Sequence, residues 1–161
     1  MADRKRKQKS VEPVIENRKA RHNYNVGETL ECGLELKGTE IKSVRDAQVS
    51  LAEGWIRAVE DPPSLSLHGV HIAEYPPAGT HRQHDPIRTR RLLAHKREIK
   101  KFATEARSKG ATLVPLKIYF VRGRAKLLIG IGIGKQKGDK RSDIAKKDAT
   151  RAIERAMSRR R

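Results

Sequence analysis

Leu116-Lys-Ile-Tyr-Phe-Val-Arg-Gly-Arg-Ala-Lys-Leu-Leu-Ile-Gly-Ile-Gly-Ile-Gly134 carries the clearest structural signal in the chain. Leu116, Ile118 and Phe120 alternate, Arg122-Gly123 supplies a turn, and Ala125, Leu127, Ile129, Ile131 and Ile133 alternate back. A side-chain period of two marks a strand with one face buried, and a short Gly-containing turn joins two such strands into a hairpin. Lys126 falls on the opposite face of the second strand, with Leu128, Gly130, Gly132 and Gly134.

Upstream, Thr29 to Leu36 alternates in the same way. Leu30, Cys32, Leu34 and Leu36 share one face, and Glu31, Gly33 and Glu35 share the other. Gly38-Thr39-Glu40 starts a short helix, with Thr39 as N-cap and Ile41 and Val44 on one side. Trp55 to Val59 and Leu65 to Ile72 read as strands around an Asp61-Pro-Pro-Ser64 turn. The phase slips at Gly69, which predicts a bulge. Glu74 to Thr89 is a loop. A helix is expected next, with Leu92, Ile99, Phe102, Ala103 and Ala106 on one stripe, Lys109 in its last turn and Gly110 ending it. Five or six short antiparallel strands with two or three flanking helices imply a mainly β fold, a small antiparallel barrel of the oligonucleotide-binding kind.

The two ends of the chain differ from this middle. Residues 1–16 read as a disordered basic arm, 17–134 as the barrel domain and 135–161 as a basic tail. The tail holds eleven Lys or Arg against four acids, and its large apolar residues are Ile144, Ile153 and Met157. Ordering its backbone costs roughly 1–2 kcal/mol per residue, more than so little hydrocarbon can offset. Asp143 to Ser158 nevertheless lacks Gly and Pro and contains four alanines. The tail is therefore expected to be disordered when free and helical against a polyanion.

The whole chain of 161 residues carries a net charge of +18, which points to a phosphate-rich partner. No apolar run follows the basic start, and none approaches the ~20 residues of a membrane helix. The single cysteine, Cys32, excludes an internal disulfide and a Cys-based zinc cluster. A cytoplasmic protein is expected.

Catalytic and metal chemistry finds little support. His68 and His71 lie three apart on a strand and point to opposite faces, and His81 and His84 sit in a loop beside arginines. Gly130 to Lys135 lacks the leading glycine and the Ser or Thr of a phosphate loop. No catalytic triad or carboxylate pair stands out, so no enzyme activity, metal or cofactor is expected. Four basic clusters remain: the N-terminal arm, Arg18-Lys-Ala-Arg-His22, Arg88-Thr-Arg90-Arg91 and the tail. With so few aromatics, these clusters suit folded RNA recognised by shape and backbone, and Gly130 and Gly132 are expected to let that backbone come close.

Several motifs, in one order, resemble the SmpB family, the bacterial small protein B that binds transfer-messenger RNA in trans-translation. The carriers are Asn17-Arg-Lys-Ala-Arg-His-Asn-Tyr24, Gly38-Thr-Glu-Ile-Lys-Ser-Val-Arg45, His84-Asp-Pro-Ile-Arg-Thr-Arg-Arg-Leu-Leu93, Leu113-Val-Pro-Leu-Lys-Ile-Tyr-Phe120 and Asp139-Lys-Arg-Ser-Asp143. The resemblance implies a barrel that holds the tRNA-like domain of that RNA, and a tail that enters the decoding centre and empty mRNA channel of a stalled ribosome. It implies delivery with elongation factor Tu. RNA-binding positions would be Asn17, Arg18, Arg21, His22, Tyr24, Glu31, Leu93 and Lys126. Ribosome-contacting positions would be Gly134, Lys135, Gln136, Asp139, Lys140, Arg141, Lys147, Arg151 and Arg155.

Glu31 among cations would accept hydrogen bonds from RNA or orient an arginine. Leu93, at a helix start, could also be core. Asp139 is expected as an N-cap. Gly138 stands where many relatives carry an aromatic residue or His. The rival readings are a basic ribosomal protein and a nuclease using His22 or His84.

Overall fold

The computed structural model of the chain describes residues 12–158, so most of the expected basic arm lies outside the described residues. In chain order the elements are β1 (Ile15–Glu16), α1 (Arg18–Asn23), β2 (Tyr24–Leu34), α2 (Gly38–Arg45), β3 (Val49–Ser50), β4 (Trp55–Val59) and β5 (Ser64–His68). They continue as β6 (His71–Ile72), β7 (Arg90–Leu93), α3 (Lys96–Glu105), β8 (Ala111–Val121), β9 (Arg124–Gly134) and α4 (Lys137–Ser158).

The hairpin anchors a closed barrel. Its turn has Arg122 at φ 51° and Gly123 at φ 74°, the left-handed pair that matches strand twist in a two-residue hairpin. The sheet runs β8-β4-β5-β7-β2-β9, and β9 pairs again with β8. Every pairing is antiparallel, so the barrel leaves few free edges. Leu30, Cys32, Ile56, Leu65, Leu67, Leu92, Ile118, Leu127 and Ile129 fill the interior. Ile99 and Phe102 of α3 and Val44 of α2 join the same core. Each such side chain contributes roughly 1.5–3 kcal/mol on burial.

Four local expectations are corrected. First, Leu116 does not share the inward face of Ile118. The register shifts between Pro115 and Lys117, so Leu116 is an extra, bulged residue. It packs outside the barrel core with Val114 and Ala20. Pro115, which has no N–H to give to the ladder, sits at this irregularity.

Second, the phase slip at Gly69 is a departure from the sheet. β5 ends at His68, Gly69 turns at φ 67°, and β6 pairs with β3 in a separate two-stranded sheet. A Cβ on Gly69 would lie 2.5 Å from the Glu53 carbonyl oxygen.

Third, Leu92 and Leu93 belong to strand β7, and α3 begins only at Lys96. Leu92 is buried there, while Leu93 is 51% exposed, which removes the core reading of Leu93. The helix also stops at Glu105, short of Lys109. Fourth, α2 is capped from Lys37, whose N–H donates to the Glu40 carboxylate at 2.7 Å. Thr39 instead contacts the ring of buried His84 at 2.9 Å.

The two termini of the domain also differ from expectation. Ile15 and Glu16 pair with Ile118 and Lys117 of β8 rather than trailing as an arm. The tail from Lys137 to Ser158 is one continuous helix in the chain alone. Its local sequence suffices for helical geometry, yet every residue from Arg141 to Ser158 is exposed.

Candidate nucleic-acid interface

The outer face of the barrel gathers side chains that are far apart in sequence. Leu93 of β7 lies opposite Gly33 of β2, Gly33 lies opposite Lys126 of β9, and Lys126 lies opposite Tyr119 of β8. Glu31 stands beside this row, two residues along β2. Its carboxylate pairs with Lys126 Nζ at 3.2 Å and accepts a hydrogen bond from the Tyr119 hydroxyl. Those two bonds, Tyr119 first, hold the Glu31 carboxyl below its ordinary value. Burial and the Glu31 carboxylate together push the Tyr119 phenol up to about 12. Glu31 therefore orients a lysine and a tyrosine, not an arginine. Leu93, Lys126, Gly33 and Lys37 line a shallow cavity of about 460 Å³ here.

Tyr119 is the residue that sequence reasoning passed over. Its signal was present: Lys117 and Tyr119 occupy the outward phase of the strand. Lys117 Nζ lies 5.1 Å from the centre of the Tyr119 ring, so the row ends in a cation over an aromatic face.

A second group forms around α1. Arg18, Arg21 and His22 are exposed on this helix, and Asn17 caps it from beneath. Asn17 is only 4% exposed. Its Nδ2 donates to the carbonyls of Leu51 and Pro115, both at 2.9 Å, and its Oδ1 accepts from the Ala20 N–H at 3.0 Å. With its amide consumed internally, Asn17 positions the cations of α1 and does not itself face outward. Tyr24 is half-buried at the start of β2 and packs over Gly132, where an added Cβ would meet Tyr24 Cβ at 3.0 Å. At Gly130 the same atom would lie 2.7 Å from Val26. These glycines make room for the protein's own side chains, so they are closed to an RNA backbone.

Lys135 joins this group to the tail. Its Nζ donates to the Arg21 carbonyl at 3.0 Å and pairs with Asp143 at 2.7 Å, which holds that carboxyl below its ordinary value. Arg18, Arg21, His22, Lys135, Lys147 and Arg151 consequently line one groove of about 550 Å³. Asp139 lies within the first turn of α4, and its carboxylate accepts from the Gln136 N–H at 3.2 Å, so it caps the helix from the third position. Gly134, Gln136, Arg141 and Arg155 are exposed and Lys140 half-buried, and none of them lines the groove.

One expected cluster is dismantled. Arg90 is fully buried, and its Nε donates to Glu40 at 2.9 Å. Arg88 donates to the same carboxylate at 2.8 and 2.6 Å. Burial would raise the Glu40 carboxyl, but the bonds from Arg88, the Lys37 N–H and Arg90 outweigh it and hold it low. Of the three arginines in that motif, only Arg91 faces outward. His84 is likewise internal, contacting Thr39 and the Ile72 carbonyl at 3.1 Å. Among the described residues, no three His, Cys, Asp or Glu converge as metal ligands, and no helix is long and apolar enough to cross a membrane.

Fold and site together define a small, strongly basic antiparallel-barrel protein with cations displayed on its outer face and on a helical extension. Comparison with known proteins sharpens that class. The family model described as SmpB protein matches residues 14–159. The SsrA-binding protein of Chloroflexus aggregans is 51% identical over 91% of this chain and 92% of its own length. That of Listeria welshimeri is 48% identical over 91% and 94%. A solved structure described as "tmRNA-SmpB: a journey to the center of the bacterial ribosome" superposes with a TM-score of 0.66 at 47% identity, covering 78% of this chain and 86% of that one. The chain belongs to the SmpB family.

Proposed function

We propose that the protein is an RNA-binding factor of trans-translation that acts by binding and makes or breaks no covalent bond. Its barrel binds the tRNA-like domain of transfer-messenger RNA. Its tail, residues 135–161, occupies the decoding centre and empty mRNA channel of a stalled ribosome. Elongation factor Tu belongs to the delivery complex, and the cytoplasm is the compartment.

The observation that carries this reading is the outer face on which Leu93, Glu31 and Lys126 meet across three adjacent strands. Lys126 can reach phosphate, Leu93 offers apolar contact to a sugar or base, and Glu31 with Tyr119 fixes the direction of the lysine. The relatives named for SsrA binding lend the reading independent support. On the tail, Lys147, Arg151 and Arg155 are spaced four apart and share one helical face, suited to a continuous polyanion.

The test is a binding titration against the tRNA-like domain, with ordinary tRNA and random duplex as competitors across a salt series. Affinity that survives both competitors at physiological salt is the expected result, and Lys126→Ala should weaken it. Equal affinity for every RNA, collapsing steeply with salt, would instead leave a non-specific polycation of the ribosomal-protein kind.

A further inference from the structure

The opposite arc of the barrel carries a feature that the interface above does not use. Trp55, the only tryptophan in the chain, is 48% exposed on the outer face of β4. Its ring stacks on that of His68 across the strand pair, with centroids 4.4 Å apart and planes 14° from parallel. His68 is held flat by contacts from both ring nitrogens, to Ser66 Oγ at 2.9 Å and Thr89 Oγ1 at 3.2 Å. The next row along the sheet is Arg57, Ser66 and Arg91, on β4, β5 and β7. Both arginines are exposed, and neither makes an ion pair among the described residues.

We infer that Trp55 and His68 form a stacking platform for one unpaired nucleobase, with Arg57 and Arg91 holding the flanking phosphates. A large exposed indole, already ordered by a second ring, offers a flat π-face at little further entropic cost. Two unpaired guanidinium groups one row away provide the charge a nucleotide needs and a protein apolar segment does not. Trp55 also lines a groove of about 230 Å³ with Lys19, Asn23 and Tyr24, so the platform is continuous with α1. Aromatic scarcity argues against a multi-base reader, and the structure concentrates what there is into a single position. The inference rests on RNA being the ligand.

The experiment uses the full chain, a single-stranded hexanucleotide RNA and the duplex of the same strand. Trp55 emission reads the platform, and anisotropy of labelled RNA reads total binding. The single strand is expected to quench Trp55 and the duplex to leave it unchanged. Trp55→Ala should weaken single-strand binding about tenfold, the size of one stacked base, and Trp55→Phe should restore most of the loss. Arg57→Gln with Arg91→Gln should reduce the slope of log affinity on log salt by about one. Equal quenching by both RNAs, or unchanged affinity in Trp55→Ala, overturns the platform. The competition titration reads the wider assignment separately. Retained specificity for the tRNA-like domain with Trp55 silent would remove the platform alone, and lost specificity with Trp55 quenched by single strands would remove the assignment alone.

Discussion

The barrel and the C-terminal helix are equally regular in backbone geometry and differ in what holds them. In the barrel, each strand has two hydrogen-bonded neighbours, and its inward side chains are excluded from water. In α4, residues 141–158 are exposed throughout, and the anchor to the domain is the Lys135–Asp143 pair beside α1. An exposed pair of that kind contributes at most about 1 kcal/mol. The difference teaches that the same chain contains one part shaped by its own core and another whose helix awaits an external surface.

That contrast can be broken most directly at Glu40. Replacing Glu40 with Gln leaves Arg90 charged and buried without its carboxylate, and should cost about 3–5 kcal/mol by denaturant unfolding. Acidification approaches the same state. The folded Glu40 carboxyl lies below its ordinary value, so its contribution is complete above the unfolded value of about 4.3. It is lost as pH falls through the depressed folded value. Stability that declined on acidification as steeply in Glu40→Gln as in the parent chain would contradict this role.

Next in size, Leu127→Ala should destabilise the barrel by about 2–5 kcal/mol through the cavity it leaves. Removing residues 139–161 should shift the same unfolding midpoint by no more than about 0.5 kcal/mol. That truncation should also leave affinity for the tRNA-like domain nearly intact while abolishing tagging of stalled peptides. A large loss of affinity in the titration would collapse the division between barrel and tail. Hydrogen exchange should show amides of Leu127 to Ile131 protected and those beyond Ile144 exchanging freely, because no buried contact supports the latter. The smallest effect concerns Tyr119. Its phenol should titrate near 12, and Glu31→Gln should lower that value when followed by ultraviolet absorbance.

Most of the architecture was legible in alternation alone. Glu31, Gly33 and Lys126 face outward as the sequence pattern indicates, and the Arg122-Gly123 turn closes the hairpin as read. Alternation failed where the chain departs from a strict ladder. The bulge at Leu116 imitates a continuous inward face because Leu116, Ile118 and Phe120 keep their spacing in sequence. Leu93 was misplaced because Leu92 fits a helical stripe with Ile99 equally well, and only strand pairing separates the two. Charge counting misled at Arg88 and Arg90, since composition does not reveal which cations are consumed by a buried carboxylate. Asn17 was assigned to RNA through its motif, whereas its amide caps α1. Tyr119 was visible in phase, but its bond to Glu31 is a long-range contact that no local pattern encodes.

Strand β9 has a property its neighbours lack. Both of its partners carry a spare residue, at Leu116 in β8 and at Gly27 to Glu28 in β2, whereas β9 runs without interruption against each. It therefore serves as the ruler against which the barrel is measured. Loss of one residue at either bulge would let the ladder close up in register. Loss of one within β9 would turn Lys126 inward or Leu127 outward, on two seams at once. Natural variation in chain length has somewhere to go in this barrel, and it is not there.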